Sequence, residues 1–365
     1  MNPEDFQDYY DRMAHIYNEL ELELFEMIIK RLMTNSTDGK DYVLEWQAAR
    51  LLELNALNQE ALLIISEFTG IAIEEVQSIL EEAVNGTVQS VDDELAGILP
   101  KPPTGLVAET TQALADQTFL ELDNLVNQTL ITTAFGQGEV ERVYRRIVEE
   151  TTAKVLAGNR TIDSVIAETV IKWREQGLKS GFVDRGGRRW NAQVYAATVV
   201  KNTVNRTYNQ LRIQRMEEYG VDLVVVDVFS DARRPCARCQ GKVITTKRYK
   251  EGYQSIYDFQ FAEPAGFRGV NCRHSMTPFV EGVNKNNLVH PPVKMTDEQF
   301  KLSQEQRYLE RQVRKAKESL QLAEITGDET QINRYKQLIR NRQLKLREFV
   351  KENNTIRRYE NERVI

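Results

Sequence analysis

The chain has 365 residues, of which 41% are hydrophobic and 28% charged. This allows about two or three domains and leaves enough apolar material for a core. No apolar run approaches the roughly 18–20 residues of a membrane helix, since LLIIS at Leu62 and VDLVVVDVF at Val221 fall far short, so a membrane span is excluded. The net charge of −6 hides an asymmetry: residues 1–150 carry 29 acidic and 9 basic side chains, and residues 151–365 carry 25 and 39.

The N-terminal MNPEDFQDYYDR is acidic where an export signal is basic and then apolar. Synthesis in a reducing host cytoplasm is therefore expected, and disulfides are not. In the first hundred residues Leu20, Leu24, Ile28 and Leu32 recur at helical spacing. Gly70 and the Asn85–Gly86 pair are expected to break this region, with Thr69–Gly70 opening a new helix over IAIEEVQSILEEAV. Residues 1–95 then form an acidic helical region. Residues 96–106 are a linker rich in proline and glycine, with Pro100, Pro102 and Pro103 close together.

Residues 107–180 resume helical periodicity, with turns expected at Ala134–Gly138 and at Gly158–Asn159. A further turn falls at Gly181–Gly187, beside the basic cluster Arg185, Arg188 and Arg189. A long helix fits Asn191 to Tyr219, with Val200, Val204, Tyr208 and Leu211 on one face and Gly220 as its C-terminal cap. The β-branched run VDLVVVDVF that follows predicts a strand. Residues 181–290 are thus a small α+β module.

After Pro291–Pro292 the residues Leu309, Val313, Ala316, Leu320 and Ala323 form one apolar seam. Ile332, Tyr335, Ile339, Leu346 and Phe349 form a second, interrupted at Arg342. Gly327 closes the first helix, and Asp328 with Gln331 opens the next in the manner of a capping box. Residues 291–365 are a helical hairpin and tail. The fold class is mostly α and multidomain.

All three cysteines lie in the α+β module. Cys236 and Cys239 form a C-x-x-C knuckle, and Cys272 and His274 form a C-x-H pair 33 residues beyond Cys239. Three thiolates and an imidazole make a tetrahedral set for zinc, and four protein ligands leave no position for a catalytic water. Buried, idle cysteines are the other reading of the same residues. Pro235–Cys239 matches half of the zinc deaminase signature, but the H-x-E that supplies its proton shuttle is missing. No phosphate-binding loop, nucleophile elbow or dinucleotide fingerprint occurs elsewhere, and a non-enzymatic protein is expected. Lys242, Lys247, Arg248, Lys250, Arg268 and Arg273, interleaved with Tyr249, Tyr253 and Phe267, are candidates for DNA contact or an ordinary solvated rim. Gly241, Gly266 and Gly269 read as turn glycines.

The runs ARRPCARCQGKV and GVNCRHSMTPFVEG resemble the signature of the phage minor capsid and head morphogenesis family, similar to the phage Mu F protein. The residues that carry the resemblance are Ala232, Arg233, Gln240, Gly241, Lys242, Asn271, Cys272, Arg273, His274, Pro278, Phe279 and Gly282. It extends over about residues 185–355, and in the first pair this chain has cysteine where the family often has histidine. The resemblance implies a structural protein packaged inside the phage head and bound to the portal. Major capsid or scaffold protein and packaged DNA are its further implied neighbours. A zinc-dependent nucleic-acid-binding protein is the alternative.

Overall fold

The computed structural model describes residues 3–33, 42–102, 108–131, 138–157, 161–269 and 272–364. The chain is mostly α, as the periodicity predicts, with five short strands in two antiparallel sheets among these residues. The elements in order are α1 (Pro3–Met33), α2 (Val43–Leu52), α3 (Leu54–Leu95), α4 (Ala108–Leu122), α5 (Gln128–Ile131), α6 (Glu139–Ala157) and α7 (Ile162–Gln176). They continue with β1 (Lys179–Val183), β2 (Arg189–Asn191), α8 (Ala192–Glu218), β3 (Leu223–Val226), α9 (Arg234–Ala237), β4 (Val243–Thr245), β5 (Met276–Pro278), α10 (Val293–Thr326) and α11 (Glu329–Glu352).

The expected breaks at Gly70 and Asn85–Gly86 do not occur: α3 is one helix of 42 residues. A mid-helix glycine costs only about 1 kcal/mol, and the buried Ile65, Ala72, Val76, Ile79 and Leu80 offset it. Thr69 does not cap a new helix. Its hydroxyl donates to the Ile65 carbonyl one turn back, at 2.6 Å, and Thr87 does the same to Ala83. The helix ends at Leu95, where Gly97 takes a positive φ of 75°. The linker is tied down as far as Pro102, whose carbonyl accepts from Arg215. The turns expected at Ala134–Gly138 and Gly158–Asn159 lie outside the described residues, apart from Gly138.

Two compact units divide the chain, each drawn from three separated stretches. Residues 1–12, 74–119 and 198–305 make the first, and residues 13–73, 120–197 and 306–365 the second. In the second, Leu20, Leu24, Ile28 and Leu32 of α1 are buried. Arg174 of α7 is buried with Glu21, at 3.1 Å, and with Asn18, at 2.6 Å. The turn predicted at Gly181–Gly187 joins β1 to β2. Its Asp184 carboxylate accepts from the backbone N–H groups of Gly186 and Arg188. In the C-terminal hairpin Val313, Ala316, Ala323, Ile332, Tyr335, Leu346 and Phe349 are buried as expected. Leu320 is only half-buried, and Ser319 and Leu322 are the buried residues at its level. Arg342 interrupts its seam because its guanidinium reaches the Gln312 carbonyl of the facing helix, at 2.5 Å. Gly327 closes α10 at a φ of 68°, and the Asp328 carboxylate accepts from the Gln331 N–H at 3.0 Å.

The first unit holds the three-stranded sheet, in the order β4-β3-β5. The predicted strand appears as β3, shortened to Leu223–Val226 and flanked on both edges, which explains its unbroken apolar character. Gly220, at a φ of 73°, closes α8 just before it. On α8, Val200, Val204 and Tyr208 are buried, but Leu211 is only half-buried and Arg212 takes the buried place beside it.

Candidate metal centre

The sheet register assembles the centre. Val226, the last residue of β3, pairs with Met276, the first of β5. The chain leaving β3 enters the C-x-x-C knuckle, and the chain entering β5 has just passed the C-x-H pair. Antiparallel pairing therefore delivers two motifs, distant in sequence, to one end of the sheet. Cys236 lies on the single-turn helix α9, opened by Pro235 in the first turn, where its missing N–H is harmless.

Cys236, Cys272 and His274 converge, with ligand atoms all within 4.8 Å of one another and all three residues buried. The Cys236 and Cys272 sulfurs are 3.4 Å apart, and the Cys272 sulfur is 3.6 Å from His274 Nδ1. A tetrahedral zinc with Zn–S of about 2.3 Å and Zn–N of about 2.0 Å spaces sulfurs by about 3.8 Å and sulfur from nitrogen by about 3.6 Å. The three residues fit such an ion. Cys239, expected as the fourth, is fully buried on the same knuckle but is not part of this group. Its thiol donates to the Cys236 carbonyl at 3.3 Å.

The histidine tautomer follows from its neighbours. Gln240 Oε1 accepts from the Phe229 N–H at 3.0 Å, so that atom is the oxygen. It also lies 3.1 Å from His274 Nε2, which must therefore carry the proton. Nδ1 is left with its lone pair facing the sulfurs, as a metal ligand needs. Phe229 and Phe267 stand edge-on to the ring, at 5.0 Å and 6.4 Å.

The thiols are held apart in basicity. The hydrogen bond from Cys236 holds the Cys272 thiol well below its ordinary value, against the opposing effect of burial, with His274 and Arg268 adding to the lowering. Cys236, the donor of that bond, is pushed far up by it and by burial. Burial also raises Cys239. One thiolate between two thiols is a metal-ready arrangement, because an arriving cation replaces protons.

The loop before Cys272 is strained into place. Gln260, Ala262 and Arg268 all adopt left-handed backbone, at φ of 55°, 61° and 54°. Gly266 and Gly269 are needed for close approach: a Cβ would sit 1.8 Å from the Gln260 carbonyl oxygen and 1.9 Å from that of Glu263. The turn reading of these glycines holds, and Gly241 takes a φ of 73°. Asn205 and Asn209, one turn apart on α8, both donate to the Arg268 carbonyl, at 2.9 Å and 3.1 Å. The Arg268 guanidinium donates in turn to Asn209 Oδ1, at 2.7 Å, and to the carbonyl of His274. It lies 4.5 Å from the centre of the Tyr208 ring and 5.3 Å from that of Phe6.

Arg268 is thus a correction to the proposed DNA-contacting set, being 1% exposed and turned inward. Of the others, Lys247 pairs with Glu217 and Lys250 with Asp222, both at 2.6 Å, and Arg273 pairs with Asp231. Lys242 Nζ is 3.3 Å from Gln254 Oε1, and exposed Arg248 lies over the Tyr257 ring at 4.9 Å. Sequence spacing could not separate Arg268 from these, since a buried arginine in a loop has no periodic signal. Gln240 and the asparagines of α8 are the supporting residues that the ligand pattern alone did not reveal.

The sequence profile of the phage minor capsid protein 2 family matches residues 1–351. A "Structural protein" of Lactococcus phage LL-H is 33% identical over 362 residues, covering 96% of this chain and 98% of that protein. A "Structural protein" of Lactococcus phage mv4 is 37% identical over 118 residues, which is 32% of this chain and 96% of that protein. No solved structure matches.

Proposed function

We infer the role of this chain from its family: it belongs to the phage minor capsid protein 2 family, and we propose that it is a minor structural component inside the phage head. The observation that carries this is the match along nearly the whole chain, together with a full-length relative that is itself a phage structural protein. The proposed partners are the portal first, and the major capsid or scaffold protein second. The chain meets them in the host cytoplasm during assembly.

Within this role the metal centre is a staple. Cys236, Cys272 and His274 hold a zinc ion, and Cys239 joins them by turning its sulfur away from the Cys236 carbonyl. That contact satisfies a protonated thiol, and a metal takes the proton's place. The ion locks the knuckle to the strained loop, and Arg268 and Gln240 fix the backbone and ring of His274. No helix among the described residues is long and apolar enough to cross a membrane. The nucleic-acid reading draws little from the basic residues, most of which are paired or buried.

Cross-linking within purified virions, followed by mass spectrometry, tests the proposal. Cross-links from this chain to the portal are expected. Absence of the chain from DNA-filled heads that contain a full portal would overturn it.

A further inference from the structure

We propose that the outer face of α2 and the first half of α3, from Leu44 to Ile71, packs against the same face of a second copy of this chain. The inference is independent of the metal centre and goes beyond a place in the head. Fourteen positions between 44 and 71 are exposed, and only Glu45 and Glu67 among them are charged. On α11, fourteen exposed positions include nine charged ones, which is how this chain builds a solvated face. Leu44, Leu52, Leu62, Leu63 and Ile71 are exposed to 59%, 85%, 48%, 71% and 45%. The half-buried Glu53 and Glu60 at the margin are already paired, with Arg50 and Arg31. A contiguous apolar face of this kind marks a contact surface.

Spacing and shape say what covers it. From Leu52 the exposed stripe continues at Ala56, Gln59, Leu63, Ser66 and Gly70, in alternating steps of four and three. That is the seam of a helix packed along another helix. The stripe maps onto itself when reversed about position 61. Leu52 then faces Gly70, Ala56 faces Ser66, and Gln59 faces Leu63, so large residues meet small or slender ones. A self-complementary surface of this type is what a two-fold dimer requires.

Gly70 is the independent sign. A Cβ there would meet nothing within 4 Å, and the residue sits inside a helix at ordinary φ. Nothing within the described chain needs a glycine at this point, whereas a close-packed Leu52 from a second copy does. With its half-buried neighbours the face supplies close to the roughly 20 residues a side that a standard interface uses. Lacking strong charge of either sign, it sets up little repulsion between identical copies.

The full-length protein tests this by sedimentation equilibrium across a dilution series, with wild type, Leu63→Glu and Gly70→Leu compared. Wild type is expected to dimerise, and each variant to weaken the dimer by at least about tenfold in Kd. Gly70→Leu is the decisive variant, because leucine favours helix over glycine. Its helicity and melting temperature should hold or rise while association falls. A wild-type monomer at every concentration would overturn the proposal, as would a dimer whose Kd is unchanged in Gly70→Leu.

Discussion

Replacing Arg268 by methionine removes the guanidinium that connects α8 to the backbone of His274, while keeping a long apolar stem. Two acceptors lose a charged donor, Asn209 Oδ1 and the His274 carbonyl. A buried acceptor left unsatisfied costs about 1–3 kcal/mol. The stacking on Tyr208 and Phe6 adds about 0.5–2 kcal/mol per ring, of which methionine recovers part through sulfur–aromatic contact. Against this, no carboxylate pairs with Arg268 among the described residues, and its Nη2 has no hydrogen-bond partner. Removing the charge therefore returns part of a desolvation cost of several kcal/mol. The losses are more numerous than the gain, and a net destabilisation of about 2–4 kcal/mol is expected. Arg268→Lys should fall between, because one ammonium cannot serve both acceptors from a single position. All three side chains occupy the same left-handed backbone, so the comparison isolates the head group. Urea denaturation of the metal-loaded protein reads stability, and competition with a chromophoric chelator reads zinc affinity. An Arg268→Met protein as stable as wild type, with equal zinc affinity, would refute the clamp.

Purified protein should hold about one zinc per chain; Cys272→Ser should lose it, and elemental analysis checks both. Because burial and the Cys272 contact raise the Cys236 thiol, that proton stays on in the metal-free protein near neutral pH. Zinc must displace it, so zinc affinity should rise with pH and fall on acidification, as a competition titration will measure. In the second unit Arg174→Met strands Glu21, whose carboxyl burial already pushes upward in pKa. A loss of about 3–5 kcal/mol is expected in denaturant unfolding. Leu322→Asp should destabilise the C-terminal hairpin more than Leu320→Asp, since only Leu322 is fully buried; helicity and protease resistance compare the two.

The helices and the principal strand were legible because periodicity is a local property. Leu20 to Leu32 on α1 and Leu223 to Val226 on β3 carry their own burial pattern. The continuity of α3 was not legible, because Gly70 and Gly86 signal a break by propensity while tertiary burial overrides it. Cys236, Cys272 and His274 could be grouped by residue type alone. What type and spacing could not give was the pairing of Val226 with Met276, which brings the motifs together. They also could not give the sense of Arg268. A guanidinium turned inward and one turned to solvent look alike in a sequence, and only the asparagines of α8 decide between them.

The charge asymmetry shows the same limit on a larger scale. Along the sequence, acid precedes base, and this suggests two surfaces with different neighbours. In space the compact units mix the two halves: the first unit carries 25 acidic and 18 basic side chains, and the second 29 and 30. The acids of the early helices are the partners of later arginines. Arg215 is buried against Asp92 at 2.8 Å, and Arg212 is buried against Glu94. In the other unit Glu21 holds Arg174, and Glu139 holds Arg189 at 3.4 Å. Cutting the chain near residue 150 would expose these groups unpaired on both pieces. DNA binding by a basic C-terminal fragment would then display arginines that the intact protein keeps inside, with a steep salt dependence that reports the cut. Only the whole chain can show which basic groups face outward. Among the candidates named from sequence, Arg248 is exposed without a carboxylate in contact, so Arg248→Ala in the intact protein is the variant that would register any DNA contact there.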